Sequence, residues 1–116
     1  MPKMELSVAF HFAASHFLTK YHGKCENLHG HNYKIIITIE DEVKEDGMVM
    51  DFKIIKDKVK EKVINRLDHT HLNDTLENPS AENLAIWIWE ELKNDLPLKK
   101  IAVYETEDYC CTYQPI

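Results

Sequence analysis

The residues most able to do chemistry lie in Cys25-Glu26-Asn27-Leu28-His29-Gly30-His31. His29 and His31 stand at i and i+2, and side chains so spaced share one face of an extended chain. Two imidazoles roughly 7 Å apart at their Cα atoms can converge on one ion, and Gly30 between them has no side chain to obstruct approach. A third ligand is then needed. His16 is the leading candidate, because it has the parity of Phe10 and Phe12 in an alternating segment and approaches His29 and His31 if the two segments pair. Three histidines with an open fourth position make a catalytic Zn²⁺ site, whereas structural sites are closed by four protein ligands. Cys25 leaves both outcomes open. It can complete a closed Cys-His₃ site, or it can be a thiol beside the metal, its pKa lowered, that serves as a base.

Two further positions carry the same kind of choice. Asp68-His69 is either a solvated turn after a helix or a carboxylate that orients an imidazole and stabilises its cation. Glu105 is either an ordinary charged strand end or an acceptor of two parallel N–H bonds.

Alternation positions these groups. Met4, Leu6, Val8, Phe10, Phe12 and Ala14 recur at every second residue, the period of a strand with one buried face. His31 to Asp41 alternates through Tyr33, Ile35, Ile37 and Ile39, while Ile36 and Thr38 give its other face apolar character, so this strand is expected to be covered on both sides. Glu40 to Gly47 reads as a hairpin or loop, and Met48 to Phe52 as a short returning strand. Ile55, Val59, Val63 and Leu67, spaced by four, predict an amphipathic helix over 53–67. Ser80 caps a second helix with Leu84, Ala85, Ile88 and Leu92 as its stripe, closed from outside by Pro97. Lys100 to Glu105 and Tyr109 to Gln114 complete the pattern as two strands turning near Glu107 and Asp108. The order ββααββ predicts an α+β domain, an antiparallel four-stranded sheet with two helices on one face.

Composition sets the outer limits. The 116 residues suit one domain, 1–116, with 44% hydrophobic and 29% charged residues. A net charge of −6, from 14 basic and 20 acidic residues, argues against a nucleic-acid partner, which needs clustered Lys and Arg. No apolar run approaches the roughly 18 to 20 residues of a membrane span, and Met1 to Ser15 lacks a signal-peptide core, so a soluble cytoplasmic protein is expected. Three cysteines make no disulfide framework, and a reducing compartment fits them.

Several motifs, in order and spanning nearly the whole chain, now come together: Phe12-Ala13-Ala14-Ser15-His16, Cys25-x₃-His29-Gly30-His31-Asn32-Tyr33, Met48-Val49-Met50-Asp51-Phe52, Leu67-Asp68-His69, Leu72-Asn73, Pro79-Ser80-Ala81-Glu82-Asn83 and Glu105-Thr106. Their joint spacing resembles the 6-pyruvoyltetrahydropterin synthase family, and the three-residue gap before His29 is similar to the branch making 6-carboxytetrahydropterin for queuosine and related deazapurines. Ser15 stands where many relatives have alanine. The resemblance implies a tunnelling fold, a barrel closed by three subunits with two trimers stacked as a homohexamer, and active sites between subunits. It implies that His16, His29 and His31 hold Zn²⁺ and that Cys25 is a catalytic base rather than a ligand. It further implies that Asp68 and His69 form a proton relay, and that Glu105 and Thr106 anchor a pterin, Glu105 also taking part in the relay. The reaction implied is conversion of 7,8-dihydroneopterin triphosphate to 6-carboxy-5,6,7,8-tetrahydropterin, with the pyruvoyl product or another dihydropterin side-chain cleavage as the near alternative, and a closed structural zinc module as the alternative of another class. His11, His22 and His71 match no motif and are assigned to surface or packing, Trp87 and Trp89 to core or interface, and Cys110 and Cys111 to buried, inert thiols.

Overall fold

The alternating segments form two long strands, β1 (Lys3–His16) and β2 (His29–Glu42), in a computed structural model that describes residues 1–17 and 29–115, with His29 described by its backbone alone. They pair antiparallel from Lys3↔Glu42 to His16↔His29, so the pleat aims Phe10, Phe12, Ala14 and His16 to the same side as Tyr33, Ile35, Ile37 and Ile39. All eight are buried. Beyond β2 come β4 (Leu98–Thr106) and β5 (Tyr109–Tyr113), joined by the expected turn at Glu107 and Asp108.

Among the described residues the sheet has five strands rather than the expected four, with β3 (Thr70–His71) at its edge in the order β3-β1-β2-β4-β5. The additional β3 is only Thr70–His71 and runs parallel to β1, with Ala14 opposite Thr70 and Ser15 opposite His71. Two residues cannot show a period, so sequence could not reveal this strand. Met48 to Phe52 is not a strand. Asp51 instead caps the first helix, its Oδ1 accepting from the Lys53 N–H at 2.9 Å, and Gly47 takes the left-handed conformation (φ 85°) that the preceding turn requires.

The first helix, α1 (Phe52–Val59), runs on through a wider π-type turn (Lys60–Ile64) into a last α turn (Asn65–Leu67). The spacing of its apolar residues gives a reason. At about 100° per residue, three successive steps of four would carry a stripe about 120° around an ideal α-helix. A wider turn takes up that drift, and Ile55, Val59, Val63 and Leu67 all remain fully buried. Helix α2 (Ala81–Leu92) begins as expected at Ser80, whose Oγ accepts from the Asn83 N–H at 3.1 Å, and it buries Leu84, Ala85, Ile88 and Leu92. Arg66 joins the two helices by pairing with Glu91 while lying 4.9 Å over the Trp87 ring, and Trp89 packs edge-on against Tyr113. Both tryptophans therefore pack against the core, as assigned.

Both helices cover one face of the sheet. On the opposite face Thr38 is buried against Ser7 (Oγ to Oγ1 2.8 Å), but Lys34 and Ile36 are half-buried and Asn32 is exposed. The two-sided cover expected for β2 is thus not supplied within one chain. Cys110 is exposed and Cys111 half-buried, which corrects the reading of both as buried thiols. Burial, then the nearby Glu82 and Cys110, push the Cys111 thiol above its ordinary pKa and favour its protonated form.

Candidate metal centre

Strand pairing and parity build the site. His16 ends β1, directly opposite His29 in the register, and His31 follows two residues along β2 on the same face. Glu105 reaches the same place from the end of β4, which lies beside β2. The result is a convergence of His16, His31 and Glu105, with one ligand atom from each lying within 4.8 Å of the other two. Glu105 Oε2 is 3.5 Å from both His16 Nε2 and His31 Nε2, and the two imidazoles meet edge to face with centroids 5.1 Å apart.

The surroundings determine which nitrogen of His16 faces this point. Its Nδ1 lies 2.8 Å from the Pro79 carbonyl oxygen, which can only accept, so Nδ1 carries the hydrogen and Nε2 presents its lone pair towards Glu105 and His31. A metal-binding imidazole commonly has its second nitrogen tied to a carbonyl or carboxylate in this way. His16 is only 1% exposed, so that bond also satisfies a polar group in the core. Two imidazoles and a carboxylate, all within reach of one point, are a donor set suited to a divalent metal such as zinc.

The expected ligands divide accordingly. His16 and His31 come together; the His29 side chain and Cys25 lie outside the described residues. Glu105, expected as an anchor for substrate, sits against both imidazoles. Thr106 adjoins it, and its Oγ1 accepts from the Asp108 N–H at 3.3 Å across the β4–β5 turn. A cavity of about 630 Å³ opens beside this group, lined by His31, Asn32, Lys34, Tyr104, Glu105 and Thr106.

Asp68 and His69 form a separate pair, with Asp68 Oδ1 3.1 Å from His69 Nδ1. Both are clamped to β1: the Ala13 N–H donates to Asp68 Oδ1 at 3.0 Å and the His69 N–H donates to the Ala13 carbonyl at 2.6 Å. The clamp holds His69 at φ 59°, a conformation uncommon outside glycine, and leaves 82% of its side chain exposed. His69 and His31 line one groove of about 600 Å³ that crosses the end of β1. The Ala13 N–H, then the neighbouring His69, holds the Asp68 carboxyl below its usual pKa. A depressed pKa means that Asp68 contributes stability above the unfolded value of about 3.9, and that this contribution is lost as pH falls through the lower native value. The urea midpoint of the wild type should therefore exceed that of Asp68→Asn at pH 7, with the gap closing below about pH 4. A gap constant to pH 2.5 would contradict this linkage.

Other motif residues turn out to be scaffolding around His16. Asn73 brackets the residue that follows β1, its Oδ1 accepting from the Phe17 N–H at 3.0 Å and its Nδ2 donating to the Phe17 carbonyl at 2.9 Å. Ser15 Oγ lies 3.1 Å from His71 Nδ1, and the His71 ring stacks on Phe17, so His71 has the packing role assigned to it. Tyr33 and Pro79 stand in the sequence motifs, but sequence gives neither the Tyr33 hydroxyl nor the Pro79 carbonyl a role beside His16. The i, i+2 parity that Tyr33 shares with His31 puts it on the same face, whereas a backbone carbonyl leaves no such signal.

Comparison with known proteins agrees with this architecture. Residues 5–115 match the family model described as 6-pyruvoyl tetrahydropterin synthase. The chain is 41% identical over 106 residues to 6-carboxy-5,6,7,8-tetrahydropterin synthase of Synechocystis, covering 84% of this chain and 82% of that one. It is 40% identical over 88 residues to dihydroneopterin monophosphate aldolase of Pyrococcus furiosus, covering 72% and 75% respectively. The structure of Caenorhabditis elegans 6-pyruvoyl tetrahydropterin synthase superposes with a TM-score of 0.90 at 30% identity, covering 100% of this chain and 98% of that one. Since both the sequence match and the shared fold run almost from end to end and include the strands that bring His16, His31 and Glu105 together, the chain belongs to the 6-pyruvoyl tetrahydropterin synthase family.

Proposed function

We propose that this protein is a zinc-dependent pterin side-chain lyase that converts 7,8-dihydroneopterin triphosphate and water to 6-carboxy-5,6,7,8-tetrahydropterin, acetaldehyde and triphosphate. The observation that carries the reading is the convergence of two imidazoles and Glu105 beside a cavity of about 630 Å³. His16, His31 and His29 would hold the ion: position 29 faces His16 in the register and has the parity of His31. When bound, zinc supplies Lewis-acid polarisation of the substrate's side-chain oxygens.

The protein groups then have separable tasks. Glu105 accepts the paired N–H groups of the pterin ring, which sets the side chain near the imidazoles. Cys25 removes and returns protons on the side chain, and His69, oriented by Asp68, is the partner relay. The two terminal carbons of the side chain depart as acetaldehyde while the first becomes the carboxyl carbon. Its oxidation is balanced by reduction of the dihydropterin ring, so no external oxidant or reductant is required.

Queuosine and related deazapurine synthesis in the cytoplasm is the proposed setting, and no described helix is long and apolar enough to cross a membrane. The proposed assembly is a homohexamer of two trimers. Among the described residues no strand pairs with the outer edge of β5, and joining sheets between subunits would cover that edge.

Product analysis tests the reaction. Anaerobic incubation of zinc-loaded protein with 7,8-dihydroneopterin triphosphate should give a carboxytetrahydropterin and acetaldehyde by mass analysis. A pyruvoyl product, or cleavage only of a monophosphate substrate, would move the protein to another reaction named among its relatives. No turnover, together with sulfur in the first zinc shell by X-ray absorption, would identify the closed structural module.

A further inference from the structure

The environment of His16 includes a group with no part in the reaction as proposed. Tyr33 is fully buried, and its hydroxyl lies 3.2 Å from His16 Nδ1, the nitrogen whose hydrogen is already directed at the Pro79 carbonyl. The tyrosine ring stands edge to face with both His16 and His31, at centroid distances of 6.1 and 5.6 Å. Phe12, its direct partner in the β1–β2 register, stacks on its other side at 5.0 Å and 11°.

We propose that Tyr33 is a positioning residue for the metal centre: its hydroxyl and ring, acting beside the Pro79 carbonyl, hold the His16 ring at the angle in which Nε2 faces the metal. The inference rests on the zinc reading above. The Pro79 oxygen can only accept and so sets the hydrogen on Nδ1, while the Tyr33 hydroxyl, able to donate or accept, adds a second contact at the same edge of the ring. The Phe12 stack and the zero exposure of Tyr33 leave its ring little room to swing away. Partners that fix a ligand's orientation typically change metal affinity by about 10- to 100-fold when removed.

Tyr33→Phe retains the ring and deletes only the oxygen. The zinc dissociation constant, measured on the assembled protein by competition with a chromophoric chelator, should rise by about tenfold relative to wild type. Nitrogen NMR of the imidazoles in the zinc-free protein should show His16 protonated on Nδ1 in both proteins, because the Pro79 carbonyl is unchanged, so that the loss of affinity is one of ring position. Affinity within twofold of wild type would overturn the assignment. Phe12→Leu, which loosens the stack but leaves the hydroxyl, should lose affinity in the same direction by a smaller factor, and it tests the proposal if Tyr33→Phe fails to assemble. A wild type that takes up no zinc overturns the metal reading, whereas a wild type that binds zinc no more tightly than Tyr33→Phe overturns the role of Tyr33 alone.

Discussion

His16→Ala protein is expected to purify without zinc, its affinity for the metal lowered by more than about 100-fold and its turnover reduced to background. The expectation follows from how completely the ring is committed. Nδ1 is held by Pro79, Nε2 faces His31 and Glu105, and a ring only 1% exposed has no solvent to substitute for it. Alanine would also leave the Pro79 carbonyl without its donor, at a cost of about 1 to 3 kcal/mol in stability, so assembly must be checked by size exclusion beside the zinc stoichiometry. Glu105→Gln is the informative contrast. Glutamine keeps the shape but cannot receive two N–H bonds as a carboxylate does, so this variant should retain its zinc and lose turnover. If Glu105→Gln loses the metal as His16→Ala does, Glu105 is the third ligand and the assignment of His29 falls. If His16→Ala keeps zinc, the centre is elsewhere.

The two outcomes bear on what the sequence disclosed. Alternation in Met4–Ala14 and His31–Asp41 was enough to place His16 and His31 on one face, because a strand has a period of two and a paired strand has one register that buries both apolar sets. The helices were equally legible, through the four-residue stripe of α1 and the Ser80 cap of α2. The chain has the tunnelling fold of its structural relatives, as the motif spacing implied. What sequence missed was either short or not a side chain. Thr70–His71 is too brief for a pattern, and the Pro79 carbonyl belongs to the backbone. The strand proposed for Met48–Phe52 failed because Asp51 was read as a strand residue when its carboxylate was free to cap the next helix. Glu105 was expected at the site but not against both imidazoles. Its place depends on β4 lying beside β2, a neighbour relation that periodicity does not encode.

The second large effect is expected at Cys25. Cys25→Ala should keep its zinc and its assembly while turnover falls by about 10²- to 10⁴-fold, the range associated with a positioned general acid–base group. Because the thiol would act only when protons move, the loss should appear equally in kcat and kcat/KM, with KM little changed. Zinc content separates this role from ligation. A Cys25 that completes a closed Cys-His₃ site would take the metal with it when replaced, and the wild type would then show sulfur in the first shell by X-ray absorption. The described geometry supports the open form, since His16 and His31 converge beside a cavity large enough for a bicyclic substrate, and a carboxylate stands at its edge. A catalytic centre needs that access, whereas a structural one gains nothing from it. Normal turnover in a zinc-replete Cys25→Ala protein would remove Cys25 from the relay and leave Asp68, His69 and Glu105 as the remaining groups able to carry the proton.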